Sequence, residues 1–198
     1  MEWAEWKPQL EYDSGAYGDE EAARLFELAK DVGGWIVEVG VYRGYTTFCM
    51  AAASQAQIAC IDIWGTCLLP EAPNVYCPQP IGDIDCFRFF LERARYHNFM
   101  DRILPLRMTS EQAAAAWPAD TSIALLHIDA THTYDDVMSD VRLWQPYLKP
   151  GAMACFHDYD GQYYPGVVRA VDELRAMETW GDFRVTQTMA ELRFNPCE

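Results

Sequence analysis

The sequence predicts an α/β fold built on a mostly parallel β-sheet. Seven short apolar runs have the length and composition of strands: Trp35–Val39, Ile58–Ile61, Ile103–Leu106, Ile123–Ile128, Ala152–Phe156, Phe183–Thr188 and Glu191–Phe194. Helical patterns lie between the first five runs and after the fifth, near residues 44–54, 84–98, 110–116, 135–147 and 165–178. Strands that alternate with helices of this length form parallel sheets through right-handed crossover connections.

The two ends of the chain complete this pattern. Only a few residues around Met189 separate the last two apolar runs, which predicts a hairpin and therefore one antiparallel strand. Ahead of the first strand, Glu20–Asp31 has an amphipathic helical pattern that stops at Gly33-Gly34, where a helix commonly ends.

Length and composition favour a single domain over residues 1–198. A hydrophobic content of 51% excludes a disordered chain. No apolar run approaches the roughly 18–20 residues of a membrane span, and the acidic start Met1–Trp6 lacks the plan of a signal peptide. We therefore expect a cytoplasmic protein. The seven cysteines include no C-x-x-C motif and fit reduced thiols, although Cys67 and Cys77 offer an alternative pair or metal site.

The charge balance narrows the range of partners. Thirty acidic and fifteen basic residues leave a net charge of −15. A field of this sign repels phosphate backbones and anionic membrane surfaces, so we expect no nucleic-acid or membrane partner. A small neutral or cationic substrate is compatible with it, and a homodimer is an open alternative to a monomer.

One connection, residues 64–82, is long and has no clear periodicity. It contains four prolines and two glycines: Pro70, Pro73, Pro78, Pro80, Gly65 and Gly82. Long loops inside compact domains often serve as lids or binding loops. Because this one follows the second strand, at the end where open α/β sheets bind ligands, we interpret it as a lid, with a passive insertion as the alternative.

The turn after the first strand has the pattern Glu38-x-Gly40-x-x-x-Gly44. Glycines allow a tight turn and a close approach of a ligand to the backbone. The spacing differs from G-x-G-x-x-G, which disfavours a dinucleotide. A second acid, Asp62, ends the second strand, where it can accept hydrogen bonds from ribose hydroxyls. Trp64 could cover an adenine, so these residues favour an adenosine-type cofactor.

These motifs and a downstream block resemble those of the class I S-adenosylmethionine-dependent methyltransferases. The block comprises Leu126-His127-Ile128-Asp129-Ala130-Thr131-His132-Thr133-Tyr134-Asp135-Asp136, Asp140, Trp144, Leu148-Lys149-Pro150-Gly151 and Phe156-His157-Asp158-Tyr159. It is similar to the small O-methyltransferases of the macrocin and catechol types, over about residues 33–177. The resemblance implies a Rossmann-like three-layer sandwich with a seven-stranded sheet.

The resemblance also assigns cofactor residues. Glu38 and the Gly40 backbone would meet the methionine end of S-adenosylmethionine, and Asp62 would take the ribose. Thr109 and Ser110, after the third strand, would lie beside the adenine. Gly44, Trp64 and Asp129 complete the predicted cofactor site.

Acids and histidines follow the fourth and fifth strands, which are neighbours in the expected sheet. Catechol-type enzymes place two carboxylates and an amide around Mg²⁺ at the points that Asp129, His157 and Asp158 occupy here. Imidazole suits transition metals better than Mg²⁺, so His157 leaves open both the identity of a divalent metal and its presence. The structural alternative is that His157 and Asp158 cap the next turn.

His132 lies where catechol-type enzymes carry a basic lysine. With an ordinary pKa of about 6.5, an imidazole there can accept a proton near neutral pH, so His132 and Asp129 are the predicted catalytic residues. By contrast, His127 lies in an apolar strand and is predicted to be a satisfied core residue. His97 ends a helix and is predicted to be solvated.

Together these features predict methyl transfer from S-adenosylmethionine to a hydroxyl of a small molecule, a sugar or a phenolic natural product, assisted by a metal and a histidine base. The alternatives are a metal-independent O- or N-methyltransferase, an iron oxygenase that uses Asp129, His132 and His157, and a non-catalytic cofactor-binding protein. Aromatic residues flank the expected site and could form a substrate pocket: Trp3, Trp6, Tyr12, Tyr17, Tyr159, Tyr163 and Tyr164.

Overall fold

A computed structural model describes residues 2–10, 17–64 and 85–196, which form a seven-stranded sheet between two layers of helices. The strands are β1 Trp35–Val39, β2 Ile58–Asp62, β3 Ile103–Arg107, β4 Ile123–Ile128, β5 Leu148–Phe156, β6 Trp180–Thr186 and β7 Met189–Phe194. The helices are α1 Trp3–Leu10, α2 Asp19–Ala29, α3 Tyr45–Ala53, α4 Cys86–Tyr96, α5 Ser110–Ala115, α6 Tyr134–Trp144 and α7 Pro165–Arg175, with a 3₁₀ turn at Gln145–Tyr147.

The strand order is β3-β2-β1-β4-β5-β7-β6. β1 pairs in parallel with β2 and β4, and the parallel pairing continues to β3 on one side and β5 on the other. β7 is antiparallel to both of its neighbours, β5 and β6. The prediction of a Rossmann-like, mostly parallel sheet with one antiparallel strand is confirmed. The order reverses between β1 and β4, and ligands bind beside the carboxyl ends of strands at such a point.

The apolar core has one layer on each face of the sheet. Successive residues of β1 contribute to opposite layers: Val37 packs with residues of α5, α6 and α7, and Ile36 packs with residues of α2, α3 and α4. After its first residue β1 is fully buried, as expected for a parallel strand covered on both faces. The central strands are therefore held firmly, and so are the starts of the loops that follow them.

Two elements differ from the sequence pattern. β5 begins at Leu148, earlier than its apolar run predicts, because Leu148 pairs with Ile123 ahead of a register shift in the β4–β5 ladder. Gly151, inside the strand, has a φ of 80° and accommodates this irregularity. The sequence pattern does not predict α1, a helix of eight residues with Pro8 inside it.

The prediction that His97 is solvated is wrong. Only 8% of the residue is exposed. After α4 the chain reverses at Asn98, which has a φ of 60°, and the Phe99 amide donates to the Ala94 carbonyl at 2.9 Å. This reversal places the His97 ring between the rings of Phe48 and Phe99, at centroid distances of 5.7 and 5.6 Å.

The predicted lid lies almost wholly in a part of the chain that is not described. Of residues 64–82, Trp64 alone is among the described residues, and Cys67 and Cys77 lie outside them. Across the described ranges, no helix has the length and apolar character needed to cross a membrane.

Candidate active site

The glycine loop, residues 40–44, connects β1 to α3 and packs directly on the chain after β4. Gly40 and Gly44 have φ angles of 88° and 90°, which favour glycine. A Cβ on Gly40 would lie 2.0 Å from the Asp129 carbonyl oxygen, and one on Gly44 would lie 2.4 Å from a ring carbon of Phe90. Glycine is required at both positions, and at Gly40 it brings the predicted cofactor loop against the predicted catalytic residue.

The Asp62 carboxylate holds the glycine loop in shape. One oxygen accepts hydrogen bonds from the amides of Val41 and Tyr42 at 2.9 and 2.8 Å, and the other accepts from the Trp64 amide at 2.7 Å. A carboxylate has about four acceptor sites. These contacts leave room for about one further donor, so Asp62 can receive one ribose hydroxyl while keeping its three amides.

Trp64, the predicted adenine contact, is packed inside the fold and is not open to a ligand. Its ring is buried and packs on Phe87 and Phe90 at centroid distances of 4.7 and 5.3 Å, and its Nε1 donates to the Tyr42 carbonyl at 2.7 Å. The neighbouring Ile63 is 55% exposed. An exposed apolar side chain directly after Asp62 is a suitable surface for an adenine ring, and sequence reasoning did not single it out.

Glu38 lies inside the fold, below the glycine loop. It is completely buried, and its carboxylate accepts hydrogen bonds from the hydroxyls of Thr46 and Thr47 at the start of α3. His127 Nδ1 lies 3.2 Å from the same carboxylate, and His127 Nε2 lies 3.1 Å from the Tyr17 hydroxyl. His127 is thus confirmed as a satisfied core residue, and Glu38 organises the loop from beneath.

Thr109 and Ser110 begin α5, and their side chains have structural partners. Thr109 caps the helix by accepting from the Gln112 amide at 3.2 Å. The Ser110 hydroxyl accepts from Trp144 Nε1 at 2.9 Å. Burial raises the pKa of the neighbouring Asp140 to about 6, against the opposing effect of its hydrogen bond with Ser110. These contacts fix the segment expected beside the adenine.

Three polar side chains meet beyond β4 and β5. Ligand atoms of Asp129, His132 and Asp158 all lie within 4.8 Å of one another. His132 Nε2 is 3.0 Å from an Asp158 oxygen and 3.5 Å from an Asp129 oxygen. Nε2 is buried, and it faces the carboxylates of both acids. An imidazole nitrogen and two carboxylates in this arrangement can hold a divalent cation.

His157, a predicted metal ligand, contacts the same Asp129 oxygen as His132. Its Nδ1 is 3.1 Å from that oxygen, and its Nε2 is 3.6 Å from a Glu21 oxygen in α2. Asp158, which has a φ of 60°, contacts both imidazoles: one oxygen lies 3.0 Å from His132 Nε2 and the other lies 3.5 Å from His157 Nδ1. The group of three that could hold a metal contains His132, and His157 packs beside it.

The carboxylates hold both imidazoles in their charged form. Burial alone would lower the pKa of His132, but hydrogen bonding to Asp129 and Asp158 outweighs it and raises the pKa to about 9. Burial is likewise outweighed at His157, where the charge of Asp129 and hydrogen bonds to Asp129, Asp158 and Glu21 raise the pKa to about 12. Although burial opposes it, the same contacts hold the pKa of Asp129 well below its usual range. In the metal-free protein His132 therefore carries a proton at neutral pH.

The loop that carries His132 rests on the start of α7. A Cβ on Gly166 would lie 2.6 Å from both the His132 carbonyl oxygen and the Tyr134 amide nitrogen. The ring of Tyr164 packs on the His132 ring at a centroid distance of 4.5 Å. The position of the imidazole thus depends on a close backbone contact that only glycine permits.

We expect Gly166→Ala to displace His132 and lower the affinity for Mn²⁺ by about 10–100-fold, the usual cost of losing support for a ligand. The measurement is calorimetric titration with Mn²⁺. Gly161→Ala is the matched control, because Gly161 lies in the connection just ahead of α7 and a Cβ there meets nothing within 4 Å. Equal Mn²⁺ affinities for the two variants would contradict this role of Gly166.

The amino-acid sequence is similar to a known protein family and to a curated protein. Residues 37–159 match a family described as "Methyltransferase domain". A curated relative, the uncharacterized protein y4gI of Sinorhizobium fredii, is 30% identical over 128 residues. That alignment covers 62% of this chain and 13% of the relative, so the chain spans only a small part of that protein's length.

Solved structures share the fold at low sequence identity. The calicheamicin methyltransferase CalS11 has a TM-score of 0.65 and 21% identity, with 87% of this chain and 77% of that chain covered. An O-methyltransferase from Bacillus cereus in complex with SAH has a TM-score of 0.66 and 12% identity, with 98% and 90% covered. Both are similar to this chain over the whole sheet.

Proposed function

The chain belongs to the methyltransferase-domain family, and on this basis we propose that it transfers a methyl group from S-adenosylmethionine to a hydroxyl of a small molecule. The observation that carries the proposal is the packing of the glycine loop on Asp129, where a Cβ on Gly40 would lie 2.0 Å from the Asp129 carbonyl. The loop for the cofactor and the residues for the acceptor therefore meet at one point, as an in-line displacement requires.

The cofactor site consists of the glycine loop and the end of β2. S-adenosylmethionine supplies an electrophilic methyl group on a sulfonium, so the protein has only to bind, align and activate. The backbone of residues 40–44 faces the cofactor, Asp62 receives one ribose hydroxyl, and Ile63 lies under the adenine. Glu38 supports this loop through Thr46 and Thr47 rather than by direct contact.

The chemistry of the donor set fits a divalent metal at Asp129, His132 and Asp158. The buried Nε2 of His132 faces both carboxylates and is the atom that a metal would bind. Mg²⁺ prefers oxygen ligands, whereas imidazole nitrogen suits Mn²⁺, Fe²⁺, Co²⁺ or Zn²⁺. We therefore propose a transition metal with His132 in the place that sequence reasoning assigned to His157. Such an ion, when bound, lowers the pKa of a substrate hydroxyl.

A metal-independent mechanism with His132 as the base is the second candidate. The raised pKa of His132, about 9, opposes it near neutral pH because the imidazole already carries a proton. Under that mechanism activity would rise as the pH approaches 9 and would survive a chelator. An iron oxygenase is disfavoured, because only one imidazole belongs to the group of three.

The aromatic residues divide into packing residues and candidates for substrate contact. Trp3 and Trp6 pack on rings of the core. Tyr163 is 69% exposed, and Tyr164 stands beside His132, so these two are placed to contact a ring. A second structure of CalS11 is described as a TDP-rhamnose 3'-O-methyltransferase, which supports a sugar as the acceptor, with a phenol as the alternative. Cytoplasmic location and a homodimer remain predictions.

Calorimetry with S-adenosylhomocysteine, Mn²⁺ and Mg²⁺ tests the proposal. We expect the protein to bind S-adenosylhomocysteine and to bind Mn²⁺ more tightly than Mg²⁺. His132→Asn should weaken Mn²⁺ binding by at least the roughly 10–100-fold that follows loss of a supporting residue, and should leave the affinity for S-adenosylhomocysteine unchanged. Absence of binding to S-adenosylhomocysteine would overturn the central proposal. Full activity in chelator, rising towards pH 9, would replace the metal mechanism with the histidine base.

A further inference from the structure

Tyr17 bridges two polar groups that the proposed mechanism treats separately. It precedes α2 and lies 110 positions from His127 in sequence, yet its hydroxyl is 3.1 Å from His127 Nε2. Its ring stacks on His157 at a centroid distance of 4.3 Å and an interplanar angle of 18°. One side chain thus contacts the buried pair beneath the glycine loop and the imidazole beside Asp129.

The hydrogen bonds of Tyr17, His127 and Glu38 can all run towards Glu38, and Met189 Sδ, 3.5 Å from the Tyr17 hydroxyl, is a second and weaker acceptor for it. Glu38 acts as an acceptor, so His127 Nδ1 carries the hydrogen that it shares with Glu38 at 3.2 Å. His127 Nε2 is then an acceptor and receives the Tyr17 hydroxyl. Burial and the nearby charges of Asp129 and Glu21 raise the pKa of Tyr17 well above its usual range, so the phenol keeps its proton.

The stack with Tyr17 holds the His157 ring at a fixed angle between two carboxylates. Asp129 lies 3.1 Å from Nδ1 and Glu21 lies 3.6 Å from Nε2. An imidazolium over an aromatic face is also favoured electrostatically. Because His157 contacts an oxygen of Asp129, the angle of its ring determines where that carboxylate points.

Glu21 anchors the same segment from the other side. It is buried, and one of its oxygens accepts from the Thr188 amide and hydroxyl at 2.7 and 2.6 Å. The other oxygen accepts from the Gly18 amide at 3.0 Å. The backbone around Tyr17 is therefore fixed against the β6–β7 hairpin, and its ring has little freedom to leave His157.

We propose that Tyr17 is a positioning residue: the Glu38–His127 pair holds its hydroxyl, its ring fixes His157, and His157 fixes the Asp129 carboxylate. This inference rests on the proposed function in one respect, that Asp129 acts at the reacting centre. Under this proposal Glu38, near the end of β1, helps to position Asp129 through His127, Tyr17 and His157. Tyr17, which directly precedes Gly18 and α2, becomes part of the active site.

The test compares Tyr17→Phe, which keeps the ring, with Tyr17→Leu, which removes it. The chain has four histidines, so ¹⁵N-histidine spectra resolve each ring. We expect Tyr17→Phe to shift the Nε2 signal of His127 and to weaken Mn²⁺ binding less than Tyr17→Leu does, because the ring stays on His157 while its hydroxyl loses the Glu38–His127 pair. Tyr17→Leu should shift the His157 signals and weaken Mn²⁺ binding about 10–100-fold, with affinity for S-adenosylhomocysteine unchanged.

Tyr147→Phe is the matched control, because Tyr147 also donates one partly buried hydrogen bond, to the Ala114 carbonyl at 3.1 Å, on the far side of α6. It should lower the melting temperature as Tyr17→Phe does and leave the histidine signals unchanged. Unaltered His157 signals in Tyr17→Leu would overturn the inference. If the unaltered protein binds neither Mn²⁺ nor S-adenosylhomocysteine, the proposed function fails instead, and the His157 signals still decide the role of Tyr17.

Discussion

Gly40→Ala is expected to abolish cofactor binding and to destabilise the protein by more than about 4 kcal/mol, a size seen only where a substitution breaks a specific structural requirement. The new Cβ would lie 2.0 Å from the Asp129 carbonyl oxygen and 2.4 Å from its carbon. Both atoms are backbone at the end of β4, so neither can move as a side chain would. The loop must leave Asp129, and displacement by about 1 Å is enough to slow methyl transfer about 10²-fold.

Gly151→Ala is the control that separates the effect of the close contact at position 40 from the effect of backbone strain. Gly151 has a φ of 80°, near the 88° of Gly40, but a Cβ there meets nothing within 4 Å. Its substitution should cost only the roughly 1–2 kcal/mol of a left-handed residue and leave binding of S-adenosylhomocysteine intact. Chemical denaturation and calorimetry on both variants measure the difference. Equal losses in the two variants would show that strain, not the contact with Asp129, makes glycine necessary at position 40.

The contrast between these glycines shows what a sequence pattern can predict. The motif Glu38-x-Gly40-x-x-x-Gly44 predicted a tight turn at a strand end, and the turn is present. The pattern suggested approach of a ligand as the reason for Gly40. The structure adds a second reason, the backbone of Asp129, which lies 89 positions away (129 − 40) and enters only through the pairing of β1 with β4.

Glu38 illustrates a signal that was present in the sequence but ambiguous. An acid at the end of a buried strand needs hydrogen-bond donors or a ligand. Thr46 and Thr47 lie at the predicted start of the next helix, and His127 lies within an apolar strand. The sequence therefore contains hydrogen-bond donors that could reach Glu38. Which of them reach Glu38 depends on the β1–β4 register, which pairs Glu38 with His127. Sequence alone does not specify that register.

The presence of His132 in the candidate metal group could not be predicted from strand order. Strand ends place Asp129 and the His157–Asp158 pair near one another, and this convergence is present. The direction of each side chain beyond the strand depends on local backbone angles. Asp158 has a φ of 60°, and Asp is one of the few residues that adopt such values readily. Strand order therefore does not predict that the Asp158 carboxylate contacts both imidazoles, His132 at 3.0 Å and His157 at 3.5 Å.

Asp129→Asn is expected to lower methyl transfer by at least about 10²–10³-fold, the loss that follows removal of one preorganised electrostatic contact. The substitution removes a charge that faces both His132 and His157. It should also abolish measurable Mn²⁺ binding. Asp160→Asn is the matched control: it removes a charge from the neighbouring loop after β5, where Asp160 accepts from the Gln162 amide at 2.7 Å, and it should retain Mn²⁺ binding.

The pH dependence of stability provides a test of Asp129 that needs no substrate. The lowered pKa of Asp129 contributes stability above the ordinary carboxyl value of 3.8, and this contribution is lost as the pH falls. The raised pKa of His132, about 9, contributes stability that is complete below the ordinary imidazole value of 6.5 and is lost as the pH rises through 9. Both contributions are complete between those two ordinary values.

In metal-free protein, the difference in melting temperature between the unaltered chain and Asp129→Asn should therefore be largest near pH 5–6 and smaller at pH 9.5. It should not vanish there, because the pKa of His157 is raised to about 12, and its pairing with Asp129 persists. A difference that stays constant from pH 6 to 9.5 would mean that His132 is not coupled to Asp129. Asp158, at 3.0 Å, would then be the carboxylate that keeps His132 charged, and the case for a metal held by both acids would lose its electrostatic support.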